Sequence, residues 1–171
     1  MMLPELAAFL DDEEATQGGA SRFFRTMDAV DGMTRARGRA LDDIALWTLL
    51  LKEPLDEACS GERDKIHAAS EFLDPVIERV AVPRRIADGV RRIIAILPRL
   101  AAGRAGRFAR TELIVPALDV LEAELLAAGR PTEAVQKMRA GHVVVAGRPS
   151  SSRPPGPRRD VRGPRQRRPV E

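Results

Sequence analysis

The residues best suited to chemistry in this chain are arginines. Between Pro83 and Arg110 stand Arg84, Arg85, Arg91, Arg92, Arg99, Arg104, Arg107 and Arg110, with Asp88 as the sole acid. A guanidinium is permanently charged and presents a fork of donors that matches phosphate oxygens, so such a concentration suits an extended polyanion. A second concentration lies at the end of the chain. Residues 142–171 hold eight arginines, six prolines and three glycines but only two acids, and Arg158, Arg159, Arg162, Arg165, Arg167 and Arg168 form its densest part.

Other reactive groups are few and scattered. His67 and His142 are the only histidines, and neither has a cysteine or second histidine at ligand spacing, which argues against a zinc site. Cys59 has no recognisable histidine partner and reads as a buried or incidental thiol. The acids from Asp11 to Glu14 read as a solvated helix end. Asp42 and Asp43 open an apolar helix, where their charge favours the helix dipole. "GGAS" at 18–21 lacks the strand and the lysine of a phosphate loop, so it reads as a turn and an N-cap. The residues thus supply no catalytic and no metal constellation.

Composition sets the frame. The chain has 171 residues and a formal charge of +3, but residues 1–141 carry 20 basic against 23 acidic side chains while 142–171 carry eight against two. A mildly acidic body is joined to a basic tail. The tail is too poor in apolar residues to offset the entropy of ordering, and is expected to be disordered. One cysteine excludes an internal disulfide and fits a reducing compartment. No apolar run approaches a membrane span and the first residues lack a leader's basic segment, so a cytoplasmic protein without membrane contact is expected. Arginine outnumbers lysine 25 to 3, a bias that a GC-rich genome produces unaided; it does not produce the clustering.

The elements that must position the arginines are helices. Apolar residues recur at helical spacing almost throughout, and only "HVVVA" at 142–146 resembles a strand. The expected fold is all-α, an irregular bundle of about six to eight helices over 1–141 with a disordered Arg/Pro/Gly-rich tail at 142–171. Helix one spans Leu3 to Asp12, with Leu6, Phe9 and Leu10 on one face. A second starts at an N-cap Ser21 and ends near Gly32. Residues 39–51 form a central helix that Pro54 ends or restarts. Residues 62–80 carry a stripe of Ile66, Ala69, Phe72 or Leu73, Val76, Ile77 and Val80, with a kink at Pro75. After Pro83, Ile86, Val90, Ile93, Leu97 and Leu100 form a clean buried stripe. Arg85, Arg92 and Arg99 are seven apart and make a second row beside Arg84 and Arg91, unless Pro98 interrupts the helix. "GRAGR" is a loop, 110–128 an amphipathic helix, and 131–141 a short last one.

A row of charge is ordinarily a solvated face. This one is not interleaved with glutamates at i±4, as a merely solubilising helix would be. With the tail it makes a sequence-independent phosphate binder, and nucleic acid becomes the leading partner. There is no tyrosine, and the five phenylalanines and one tryptophan sit mostly at core positions, so base stacking should contribute little.

Several stretches resemble a known family. "MLPELAAFL" at 2–10, "SRFFRTMDAVDGMTRARGRALDDIALWTLLL" at 21–51, "LDPVIERVAVPRRIADGVRRIIAILPRL" at 73–100 and the arginine-rich end are similar to the C-terminal helical part of bacterial poly(A) polymerases. That class also contains the CCA-adding tRNA nucleotidyltransferases. The resemblance implies a helical body and a basic end that hold RNA, while an N-terminal head transfers AMP from ATP to an RNA 3′ hydroxyl using Mg²⁺ on two carboxylates. The chain departs from the family in lacking that head: Asp28 and Asp31 are three apart in a helical pattern, not an Asp-x-Asp on a strand. After Phe108 and in the last helix, aromatics expected by the resemblance are missing.

The expected function is therefore the RNA-binding body of a polynucleotide adenylyltransferase, inactive by itself, with Mg²⁺ and ATP belonging to the head. Two alternatives stand beside it: a helical module that pairs with a separately encoded catalytic head, and a nonfunctional truncated relic.

Overall fold

The computed structural model describes residues 3–11 and 19–146 of the chain. Asp12 to Glu14 of the acidic run, the turn at Gly18 and all six named tail arginines lie outside the described residues. Among the described residues the fold is all-α, with eight helices and a 3₁₀ turn: α1 Pro4–Asp11, α2 Gly19–Arg37, α3 Asp43–Leu50, α4 Lys52–Ala58, α5 Lys65–Val80, α6 Arg84–Ala101, the 3₁₀ turn Gly106–Arg110, α7 Ile114–Ala127 and α8 Glu133–Ala146. The strand-like "HVVVA" is helical. It is the end of α8, and no neighbouring strand exists among the described residues to pair with.

Local chemistry sets the boundaries. Asp42 caps α3 by accepting from the Ile44 amide at 2.8 Å, and Asp64 caps α5 by accepting from the amides of Ile66 and His67 at 3.1 Å each. α2 begins before Ser21 and runs through Gly32, since one glycine costs only about 1 kcal/mol and Val30 and Met33 on either side of it are buried. The expected central helix is two helices. Leu51 departs from helical geometry between them, and Pro54 falls in the first turn of α4, where its missing N–H costs nothing. Pro75 and Pro98 lie inside α5 and α6 without ending them.

The core is built on α3, α6 and α7, with α2 lying along α7 and α5 along α6. Leu49, Val76, Val90, Ile93, Leu100, Ile114, Leu118 and Val120 are all less than 2% exposed. Each such side chain contributes about 1.5–3 kcal/mol of burial. α7 is not amphipathic as expected: Asp119 and Glu122 are buried together with its apolar residues. Ile66, expected on the buried stripe of α5, is 51% exposed, because that helix turns Ala68, Ala69, Leu73 and Val76 inward. Leu6 of α1 is buried as expected, Leu10 is half-buried, and the side chain of Phe9 is outside the described set.

Gly89 lets α6 approach α3. A Cβ there would stand 2.7 Å from Ile44 Cγ2 and 2.9 Å from its Cδ1. With α3, α5 and α7 all packed on α6, the rest of its surface faces out. No helix among the described residues is long and apolar enough to cross a membrane.

Candidate nucleic-acid interface

α6 carries the arginines because Pro83 pre-sets its entry and its stripe of Val90, Ile93, Leu97 and Leu100 is buried; Ile86 is half-buried. The helix is continuous past Pro98, so Arg85, Arg92 and Arg99 stay on one row, about 10.5 Å apart along the axis and turning by about 20° per step. All three are exposed and form no ion pair with any described residue. Arg104, Arg107 and Arg110 are exposed and unpaired in the same sense, the latter two on the 3₁₀ turn.

Arg91 is different and leaves the row. Its guanidinium is 14% exposed and lies 2.5 Å from Asp74 Oδ1 of α5 and 2.8 Å from Asp88 Oδ1. It ties α6 to α5, and with two carboxylates already on its fork it is poorly placed for phosphate. Arg84 is exposed but lines the same notch of about 500 Å³, together with Asp74, Glu78 and Asp88. Along α6 itself the sequence offers Asp88 as the one acid; packing adds Asp74 and Glu78 from α5. The exposed row therefore has a carboxylate border, with the open positive surface along Arg85, Arg92 and Arg99.

The polar groups that the sequence reading missed are buried ones. Asp119 and Glu122, 1% and 7% exposed, receive Arg37 from the end of α2 and Arg139 from α8. Gln136 Nε2 donates to Glu122 Oε1 at 2.8 Å. Acids at 119 and 122 inside a mostly apolar helix were the available signal, since buried carboxylates require partners. Lys52 is likewise 9% exposed and paired with Asp56 and, at 2.8 Å, Glu124. Burial alone would lower the Lys52 pKa, but the charges of Glu124 and Asp56 outweigh it and hold the ammonium above its ordinary value; burial pushes the Glu124 carboxyl up despite Lys52.

The pair lines a cleft of about 410 Å³ with Cys59 and Lys65. Cys59 is 2% exposed, its thiol donates to the Lys65 carbonyl at 3.6 Å, and burial raises its pKa. A thiol in that state is a weak nucleophile. His67 is exposed, 3.4 Å from Glu71, and His142 contacts the Ala109 carbonyl. Asp28 and Asp31 sit exposed on α2, with Arg35 lying 3.8 Å from Asp31. Among the described residues no group of three histidine, cysteine, aspartate or glutamate side chains could hold a metal ion.

What the arrangement can do chemically is hold anions along a single exposed helix face. Comparison with known proteins adds no neighbour: no family model matches the chain, and no curated protein or solved structure matches it.

Proposed function

We infer that this chain is the RNA-holding helical body of a polynucleotide adenylyltransferase, a protein of the cytoplasm that grips the phosphate backbone of RNA while a catalytic head extends the 3′ end. The observation that carries the reading is the row Arg85, Arg92 and Arg99, exposed on α6 and without an acidic partner among the described residues. A solubilising row would be expected to spend its charge on neighbouring carboxylates, as Arg91 does. The body supplies binding only. AMP transfer, with its Mg²⁺ and ATP, is assigned to the head, because Asp28 and Asp31 on a helix face do not form the paired strand carboxylates that a metal would need.

The test is a salt titration. A 15-nucleotide oligoadenylate bound by the full chain should show an affinity falling log-linearly with salt, and Arg85→Gln with Arg92→Gln should reduce that slope by about 0.7 for each lost contact. An unchanged affinity and slope would reject the surface.

A second reading, docking of a separately encoded head, is favoured by Phe24 on α2. It is 58% exposed, with its ring packed edge-on against Phe23 at 5.5 Å. Concentration-dependent association without RNA would support that reading, and a monomer at all concentrations would count against it.

A further inference from the structure

We propose that His142 is a positioning residue which straps the Arg107–Arg110 turn into place through α8, an inference that rests on the RNA-binding reading above. Phe108 packs half-buried against the core, but the backbone on either side of it has few bonds of its own. The turn is a five-residue 3₁₀ segment with no buried residue. Its flanking bonds are Phe108 N–H to the Ala105 carbonyl at 3.1 Å, and Thr111 N–H and Oγ1–H to the Phe108 carbonyl at 3.0 and 2.8 Å. Runs of 3₁₀ geometry are short because those bonds are poorly aligned, so an isolated turn would sample many conformations. Two exposed arginines on such a turn would lose ordering entropy whenever they bound phosphate.

α8 supplies a second anchor beside Phe108. Val135, Met138, Arg139 and His142 fall at i, i+3, i+4 and i+7 and share one face. Val135 is fully buried and Met138 packs on the core. Arg139 then fixes rotation and register together, bonding Asp119 Oδ1 at 2.8 Å and Glu122 Oε2 at 2.9 Å, while Gln136 takes the other Glu122 oxygen. A guanidinium on two buried carboxylates favours one placement, since slipping would leave two acids to share the single charge of Arg37. One turn further on, this placement sets His142 Nδ1 3.0 Å from the Ala109 carbonyl, in the middle of the turn and between Arg107 and Arg110. With its proton on Nδ1 the imidazole donates to that carbonyl. The buried acids of α7 thereby act on the interface at a distance: they locate α8, α8 locates His142, and His142 fixes the backbone that carries two of the exposed arginines.

The experiment has a structural arm and a binding arm, both on the full chain. His142→Leu removes the donor, and His142→Asn keeps an N–H near the Nδ1 position at similar helix propensity. Amide exchange at residues 106–111 should quicken by about fivefold in His142→Leu, the yield of losing one ordinary hydrogen bond, and return to the wild-type rate in His142→Asn. Amides of α7 should not change, which shows the body intact. With a 15-nucleotide oligoadenylate, His142→Leu should weaken binding, and should add nothing in a background of Arg107→Gln with Arg110→Gln. Unchanged exchange at 106–111 would overturn the strap. Faster exchange with unaltered RNA affinity would overturn its role in binding. Absence of RNA binding by the wild-type chain would instead reject the interface reading itself, and the exchange arm would still decide whether His142 holds the turn.

Discussion

Arg37, the last residue of α2, donates through Nη1 to Asp119 Oδ1 at 2.7 Å, although 82 positions separate them and the Asp119 side chain is 1% exposed. The same guanidinium reaches Glu122 at 2.7 Å, so one arginine closes α2 onto the centre of α7. Removing one partner from a buried pair leaves a charge without compensation. Arg37→Met should destabilise the fold by about 3 kcal/mol. Urea denaturation measures this, and combining it with Arg139→Met should give a clearly non-additive loss, since both arginines serve the same two acids.

Arg91 and Arg92 are neighbours in sequence with opposite expected phenotypes. Arg92→Gln should leave the unfolding midpoint nearly unchanged and lower the salt slope of RNA binding by about 0.7. Arg91→Gln should shift the midpoint downward and leave the slope alone, because its guanidinium is already held by Asp74 and Asp88. Denaturation and RNA titration of the two variants side by side separate the roles; identical behaviour would mean that the row is not the interface.

The contact of α6 with α3 predicts the outcome at Gly89. In an open helix Gly89→Ala would gain about 1 kcal/mol of helix propensity. Here the added methyl meets Ile44 from three of its carbons, at 2.7, 2.9 and 3.2 Å. Overpacking should win, for a net loss of about 1–2 kcal/mol in thermal or urea unfolding.

Ala81, between α5 and α6, has φ 54° and ψ 42°, the left-handed region. The Val82 amide returns to the Ile77 carbonyl at 3.3 Å, closing the end of α5. Left-handed geometry strains a residue with a Cβ by about 1 kcal/mol. Ala81→Gly should therefore stabilise the protein slightly, or at worst be neutral once the greater freedom of the unfolded chain is counted. A loss above that range would show that the methyl makes contacts worth keeping.

Acid should loosen α1 first. Burial alone would raise the Glu5 carboxyl, but the Arg79 hydrogen bond outweighs it and holds the pKa below its ordinary 4.5. Arg79 Nη2 lies 2.6 Å from both Glu5 oxygens. A depressed carboxylate contributes stability above its unfolded pKa, and that contribution disappears as pH falls through the folded value. Amide protection of α1 should accordingly drop below about pH 4.5 relative to the rest of the body. Glu5→Gln should abolish this step; an identical acid step in the variant would assign it to another group.

Much of the molecule was legible in its sequence. The 3.6-residue apolar period is a local property, and it determined an all-α fold, the stripe Val90, Ile93, Leu97 and Leu100, and the exposure of Arg85, Arg92 and Arg99 opposite it. Only the tertiary structure decided which charges are free. Arg84, Arg91 and Arg92 are equivalent in composition and close in sequence, yet Asp74 and Glu78 approach from α5 and take one side of the row. Nothing in the sequence marked Arg37 and Arg139, which are the partners of buried acids from α7. The division follows from the physics: periodicity records which side of a helix is apolar, whereas an ion pair depends on distance in space. Distances between residues 17 or 82 positions apart exist only once the helices have packed.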